Sequence, residues 1–287
     1  MGDLVVCEKV NELRALLSQL KADGNIISFV PTMGALHHGH ISLVEQAAEI
    51  GDFVVVSIFV NPKQFNNQND LLNYPRPIDE DLGKLSTHKN VIAFVPSEEE
   101  IYPADFEGHI LDLGTLVKGQ EAMSRPGHFE GVVNVVSRLF DIIEPDYAVF
   151  GEKDYQQLAI IKYMTKALGY DITIIGADTI REETGLASSS RNIRLNEEDR
   201  EKSTILFKAL SYLKQEAFKT EFDLSLIRAR DMIKQSDLKL EYLDIIDPDT
   251  FELVYDWIPG SRACVAANCG DVRLIDNLEV VPKGAFC

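Results

Sequence analysis

Three short stretches hold the residue types that handle phosphate. Pro31-Thr32-Met33-Gly34-Ala35-Leu36-His37-His38-Gly39-His40 follows the apolar run Ile26-Ile27-Ser28-Phe29-Val30 and precedes a helical pattern carrying Ile41, Val44, Ala47, Ala48 and Ile50. A loop between a buried strand and a helix start lies where open α/β sheets bind ligands, and the first N–H groups of the helix favour an anion there. Gly34 permits a tight bend, and Gly39 allows a ligand close to the helix start. His37 and His40, three apart, share one side of the first turn and could donate to a polyphosphate whose charge shifts during reaction. His38 is read as facing solvent. The plain alternative for a histidine in such a place is a helix cap or an exposed polar residue. Two histidines with two glycines behind a buried strand favour the functional reading.

The second stretch, Gly151-Glu152-Lys153-Asp154, follows the apolar run at 147–150 and opens another helical pattern. Lys153 can neutralise phosphate, and Asp154 can cap the helix or accept from a ribose hydroxyl. A capped helix start with a solvated lysine is the competing reading. The third stretch, Ser188-Ser189-Ser190-Arg191-Asn192, is rich in donors suited to β- and γ-phosphates, although a serine-rich linker has the same composition. Asp79 and Asp81 could approach magnesium, but acidic residues at a helix start are commonly caps, so no metal ligand is assigned.

These stretches need a scaffold at their backs. Val10, Leu13, Leu16, Leu17 and Leu20 recur at helical spacing, with Gly24 as a stop signal. The start of the chain is read as acidic and helix-patterned. Residues 53–60 are continuously apolar, as in a strand covered on both faces, and 91–95 is a further short run. A helix closing with Leu139, Phe140, Ile142 and Ile143 precedes Pro145, a strand at 147–150, a helix at about 155–168 and a strand at 172–175. This alternation predicts an α/β fold with a doubly wound, mostly parallel, Rossmann-like sheet. Beyond Arg181 the pattern changes to two amphipathic helices and strand-like runs at 241–246, 263–267 and 272–275, a second, smaller α+β domain. The expected division is 1–180 and 181–287.

The chain has 287 residues, 45% hydrophobic, with 28 Lys+Arg against 46 Asp+Glu and a net charge of −18. With no basic run to release counterions from a nucleic acid, DNA and RNA are excluded as general partners. An anionic substrate must instead be held by local cationic and N–H groups against an unfavourable overall field. Cys7, Cys264, Cys269 and Cys287 are too few and scattered for a disulfide framework or zinc ribbon, which predicts reduced thiols. No run reaches a membrane span, the start is neither basic nor greasy enough for a signal peptide, and Gly2 lacks the Ser or Thr of a myristoylation signal. The cytoplasm is the expected location.

The string His37-x-Gly39-His40 resembles the HxGH signature of the nucleotidyltransferase superfamily, shared with class I aminoacyl-tRNA synthetases. PTMGALHHGH together with IFVNPKQF at 58–65 resembles the pantothenate synthetase (pantoate–β-alanine ligase) family in particular. NYPR at 73–76, RPGHFEGV at 125–132, FGEKDYQQL at 150–158, SSRN at 189–192 and LIDN at 274–277 carry the same resemblance, in order, over most of the chain. It implies ATP-dependent condensation of (R)-pantoate with β-alanine through a pantoyl adenylate, with Mg2+ accompanying ATP. It assigns His40, His37, Lys153 and Arg191 to catalysis. Met33, Gly34, Ala35, Leu36, His37, His38, Gly39, His40, Gly151, Glu152, Lys153, Asp154, Ile180, Ser188, Ser189, Ser190 and Arg191 are assigned to ATP. Gln64 and Gln157 resemble the family's pantoate-binding pair, with Pro31, Met33, Asn61, Arg125 and His128 as further substrate contacts. Ser188 stands where the family often has Met or Lys. The resemblance also implies a homodimer, and a C-terminal lid that keeps water from the adenylate. Two rivals share parts of this signature: a nucleotidyltransferase that leaves AMP on a phosphorylated acceptor, and a non-catalytic nucleotide sensor.

Overall fold

The structure is a computed structural model, and it describes residues 4–66 and 68–284. Cys287 and Gly2 therefore lie outside the described residues. Contacts divide the chain into two compact units. One takes residues up to Leu113, Arg125–Glu152 and Gln157–Asp178; the other takes Gly114–Ser124, Lys153–Gln156 and the residues from Thr179 on. Two short segments, 114–124 and 153–156, thus pack with the residues from Thr179 on.

The first unit is built around six parallel strands: β1 (Val5–Cys7), β2 (Ile27–Thr32), β3 (Phe53–Ile58), β4 (Val91–Phe94), β5 (Tyr147–Gly151) and β6 (Thr173–Ala177). Their order is β1-β4-β3-β2-β5-β6, so strand order reverses between β2 and β5. In open α/β sheets such a reversal marks the place, at the carboxyl ends of the two strands, where ligands bind. The connecting helices are α1 (Val10–Ala22), α2 (His38–Ile50), α3 (Gln68–Leu72), α4 (Ile78–Leu85), α5 (Glu98–Ile101), α6 (Gln120–Ser124, which belongs to the second unit), α7 (His128–Ile143) and α8 (Tyr155–Ala167). The central strands are apolar on both faces because both are covered: Val30, Val54, Val56, Ala93 and Val149 are buried in one core with Val44 and Ala47 of α2. Gly24 follows α1 at φ +83°, in the left-handed region where a stop signal needs glycine. The N-terminal reading is corrected at one point, where 5–7 form a strand instead of continuing a helical pattern. Val5, Val6 and Cys7 pair with Ile92, Ala93 and Phe94, and three β-compatible residues on a sheet edge leave too short a pattern to read.

The second unit has helices α9 (Glu197–Ser203), α10 (Ile205–Glu216) and α11 (Phe222–Lys234) and an antiparallel sheet of β7 (Lys239–Ile246), β8 (Arg262–Cys269) and β9 (Val272–Glu279), in that order. Leu206, Leu210 and Leu213 of α10 share a core with Ile233 of α11 and with Leu243, Val265 and Leu274 of the sheet. The segment 114–124 is fastened to this sheet by Glu121. Its carboxylate takes two N–H bonds from Arg273, at 2.7 and 2.8 Å, and accepts the Tyr242 hydroxyl at 2.7 Å.

Candidate functional site

The loop between β2 and α2 spends its backbone donors internally. Gly34 N–H donates to Thr32 Oγ1 at 3.2 Å, and Ala35 and Leu36 N–H donate to the two oxygens of Asp81 at 2.8 and 2.6 Å. Lys84 Nζ donates to the Leu36 carbonyl at 2.7 Å. Asp81 is 1% exposed; a Cβ on Gly34 would come within 3.1 Å of its carboxylate and 3.0 Å of Ile58. Gly34 at φ +78° and Ala35 at φ +49° are both left-handed, a costly conformation for Ala35 that the Asp81 bonds sustain. Burial pushes the Asp81 carboxyl above the usual aspartate value, against the pull of the Leu36 and Ala35 N–H groups and of Lys84. Asp81 therefore braces the loop, reaching across from the first turn of α4.

The two imidazoles close the helix start on each other. His37 Nδ1 accepts from Gly39 N–H at 3.1 Å, while His40 Nδ1 accepts from His37 N–H at 3.3 Å, a reciprocal capping box with histidine in both places. Their ring centroids are 4.0 Å apart. An Nδ1 that accepts a backbone N–H carries no proton of its own, so both neutral rings hold theirs on Nε2. Nε2–H is thus the donor atom of each ring. His38 is exposed, as the sequence reading expects.

The sequence-predicted substrate residues Met33, Asn61, Gln64, Arg125 and His128 come together in the same unit. Gln64 ends the 3₁₀ turn Pro62–Gln64; its carbonyl accepts from His128 Nδ1 at 2.9 Å and from Arg125 at 3.4 Å, and its Nε2 meets Met33 Sδ at 3.0 Å. Gly131 of α7 makes this possible, because a Cβ there would lie 2.4 Å from the Lys63 carbonyl. Asn61 is wholly engaged within the protein: Nδ2 donates to Gln64 Oε1 and to the Gly131 carbonyl, while Oδ1 accepts from Lys63 N–H and from the Tyr102 hydroxyl. Pro31 is half-buried in β2 and Gln157 half-buried in α8. Its neighbour Gln156 is structural, donating to the Leu116 and Gly119 carbonyls and accepting from Glu121 N–H.

Gly151 ends β5, and Glu152–Asp154 form a 3₁₀ turn at the carboxyl end of that strand. In the second unit, Lys153 and Asp154 stand beside each other, Nζ to Oδ2 at 3.8 Å. The Lys153 carbonyl accepts from Asn277 Nδ2 at 2.9 Å, and Asn277 Oδ1 accepts from Arg262, whose guanidinium lies 3.9 Å from the Tyr155 ring centroid. The preceding residue, Asp276, forms a two-pronged pair with Arg181 at 2.6 and 2.9 Å. One strand of the small sheet thus anchors both ends of the phosphate-binding candidates in this unit. Arg181 and Ala187 form an antiparallel bridge around a turn through Gly185, and Ser188 N–H donates to the Ile180 carbonyl at 2.9 Å. Ser189 caps the 3₁₀ segment Ser190–Arg194 by accepting from Arg191 N–H. Asn192 is 4% exposed and donates to Glu182 and to the Ala187 carbonyl.

Sequence reasoning missed Asp81, Tyr102, Asn192 and Asn277 as supports. Three carried a signal, as the acid at the start of α4 and the Asn that ends SSRN and LIDN, and Tyr102 carried none. Among the described residues no group of three or more His, Cys, Asp or Glu is placed to hold a metal ion, and no helix is long and apolar enough to cross a membrane.

Known proteins carry the same sequence pattern and fold. The sequence profile of the family described as "Pantoate-beta-alanine ligase" matches residues 5–279. The pantothenate synthetase of Caldicellulosiruptor bescii is 41% identical over 98% of this chain and 100% of its own length, and that of Thermus thermophilus is 42% identical over 95% and 98%. Among solved structures, a pantothenate synthetase from Thermus thermophilus matches with a TM-score of 0.92 at 40% identity, covering 97% of this chain and 100% of that one. The pantoate–β-alanine ligase of Francisella tularensis, complexed with β,γ-ATP and β-alanine, matches with a TM-score of 0.81 at 34% identity over 96% and 98%. With the profile spanning nearly the whole chain and relatives matching end to end, this chain belongs to the pantoate–β-alanine ligase family, enzymes that form a carbon–nitrogen bond.

Proposed function

We propose that this ligase joins pantoate to β-alanine in two steps on one bound nucleotide. A carboxylate oxygen of (R)-pantoate attacks the α-phosphorus of ATP, and the bond to the β-phosphate bridging oxygen breaks, giving pantoyl adenylate and pyrophosphate. The free amine of β-alanine then attacks the acyl carbon, loses a proton and expels AMP, leaving pantothenate. The observation that carries this reading is the His37–His40 pair, two Nε2–H donors held by a mutual cap at the carboxyl end of β2, where strand order reverses. His40 stabilises the leaving phosphate oxygen by donating a hydrogen bond from its Nε2–H, with His37 alongside. Lys153 and Arg191 neutralise the departing pyrophosphate, and Ser188, Ser189 and Ser190 supply hydroxyl and backbone donors. Ser188 offers a short hydroxyl where relatives place a longer side chain. Asn61, Arg125 and His128 shape the pantoate site around Gln64, and Gln157 supplies a second neutral amide.

Mg2+ fits this scheme as a companion of ATP. Asp81 is spent on bracing the loop, and a Mg2+ ion accompanying ATP would neutralise charge developing on the phosphates. In this proposal nucleotide and pantoate are bound by 1–180, and 181–287 contributes further phosphate contacts. The reading is of a cytoplasmic homodimer. Cys7, Cys264 and Cys269 are free and buried, which fits a reducing compartment, and the homodimer rests on the sequence resemblance.

Pyrophosphate release from Mg-ATP with pantoate alone, with β-alanine alone and with both tests the scheme. A stoichiometric burst with pantoate, turning into sustained AMP formation when β-alanine is added, is the expected result. ATP binding without release under any condition would leave a nucleotide sensor. AMP retained on an acceptor would leave a nucleotidyltransferase.

A further inference from the structure

Asn61 has four hydrogen-bonding positions, and the protein fills all four. Two partners cannot reverse their roles: the Lys63 N–H must donate, at 3.2 Å, and the Gly131 carbonyl must accept, at 3.1 Å. These fix which end of the Asn61 amide is oxygen, since the flipped amide would set oxygen against carbonyl and NH2 against N–H. The remaining Asn61 N–H then points at Gln64 and requires an acceptor there, which is Oε1 at 3.1 Å. Gln64 Nε2 is thereby turned the other way, with one N–H for Met33 Sδ and one more to give. The fourth position is Asn61 Oδ1, which takes the Tyr102 hydroxyl at 2.9 Å.

Tyr102 is itself clamped. Lys63 Nζ lies 3.7 Å from its ring centroid, and the rings of Phe106 and Phe59 are 5.2 and 6.2 Å away. Burial holds its phenol well above the ordinary tyrosine value, so it stays a donor at every pH the enzyme meets.

We propose that Tyr102 and Asn61 are positioning residues that set the polarity of the Gln64 amide, so that Gln64 meets pantoate as a donor and selects an acceptor oxygen at that point. This rests on the pantoate reading above and alters the role given to Asn61: it acts through Gln64 instead of touching substrate. A neutral amide with its donor end fixed suits a carboxylate or a hydroxyl lone pair. It rejects an analogue that places a lone N–H or a methyl group there, because the buried donor then goes unmatched.

The test is steady-state pyrophosphate release with Asn61→Asp and Tyr102→Phe, each checked for an unchanged melting temperature. Aspartate keeps the shape and both acceptor contacts, but puts an oxygen against Gln64 Oε1, whose amide can turn, and against the Gly131 carbonyl, which cannot. Tyr102→Phe, which keeps both backbone anchors, is therefore the variant that separates amide polarity from a fold lesion. The expected result is a KM for pantoate raised more than about tenfold, with KM for ATP and for β-alanine within about twofold of the wild type. In Tyr102→Phe, Asn61 keeps its two backbone anchors, so the fold holds and KM for pantoate rises only about 2–5-fold. Pantoate KM unchanged in both folded variants would overturn the inference while leaving the ligase reading intact. A parallel rise in every KM would also overturn it, by showing a general structural lesion. A wild-type enzyme inert toward pantoate overturns the ligase reading, and this inference with it.

Discussion

The two loops proposed to hold phosphate are built on opposite plans. In the loop after β2, the anchors are backbone N–H groups: those of Ala35 and Leu36 converge on one buried carboxylate, and that of Gly39 ends on an imidazole. In the loop through 188–192, the anchors are side chains, with Asn192 reaching Glu182 and the Ala187 carbonyl while Arg181 grips Asp276. The first loop has few backbone donors left for a ligand, which is why the proposal turns on its imidazole rings. The second keeps Ser188, Ser189 and Arg191 half-buried on a braced turn, with their side chains within reach of solvent. A helix start does not offer its N–H groups to an anion when the protein's own side chains have taken them.

The largest effect should come from the imidazoles. His40→Ala should lower pantoate-dependent pyrophosphate release by about 10²–10³-fold with the far-ultraviolet spectrum retained, the usual cost of a lost charge-stabilising donor. Near-normal turnover in that variant would mean that the first loop binds ATP through something other than its rings. Asp276→Ala attacks the side-chain plan. It leaves Arg181 without its two-pronged partner, Asp276 being 5% exposed, and should cost about 3 kcal/mol in urea unfolding while raising KM for ATP.

Asp81→Asn attacks the backbone plan. One loop N–H then faces an amide NH2 instead of an oxygen, costing about 1–3 kcal/mol and misplacing the rings. The pH dependence has a defined sign. A carboxyl raised above its ordinary value takes up its proton in the folded chain while the unfolded chain is still charged. Acidification through that window therefore favours the folded state on this group's account, yet it removes an acceptor from the loop. Activity toward ATP should fall there without a matching fall in Tm from Asp81, and Asp81→Asn should flatten that limb of the activity profile. Ser189→Ala should do least. Losing a cap on a short 3₁₀ segment costs about 1 kcal/mol or less, read in thermal unfolding.

The fold was legible where apolar runs were long. The runs behind β2, β3 and β5 mark buried parallel strands, and the change of pattern beyond Arg181 marks the second sheet. The edge strand at 5–7 was not legible, because three residues carry no period. Nor was the transfer of 114–124 and 153–156 to the second unit, which depends on Glu121 meeting Arg273 and on Asn277 meeting Lys153, pairs 152 and 124 residues apart. In the site, motifs found the loops but not the direction of their hydrogen bonds. Asn61 reads as a substrate contact from its motif, and only the four partners around its amide show it turned inward. Asp81 reads as a helix cap for the same reason: its partners come from 45 and 46 residues earlier in the chain.

The reciprocal histidine cap ties a charge state to a secondary structure. Each Nδ1 is at once the basic atom of its ring and a hydrogen-bond acceptor at the start of α2. A proton arriving there converts that acceptor into a donor facing another donor, so a ring cannot be charged at Nδ1 while the first turn of the helix stays as it is. Such a proton leaves Nε2–H in place but breaks the cap that aims it. Misplacement of the proposed phosphate donors and fraying of that turn are therefore one event, which the amide protons of His37 and Gly39 would report in hydrogen exchange as directly as any assay of turnover.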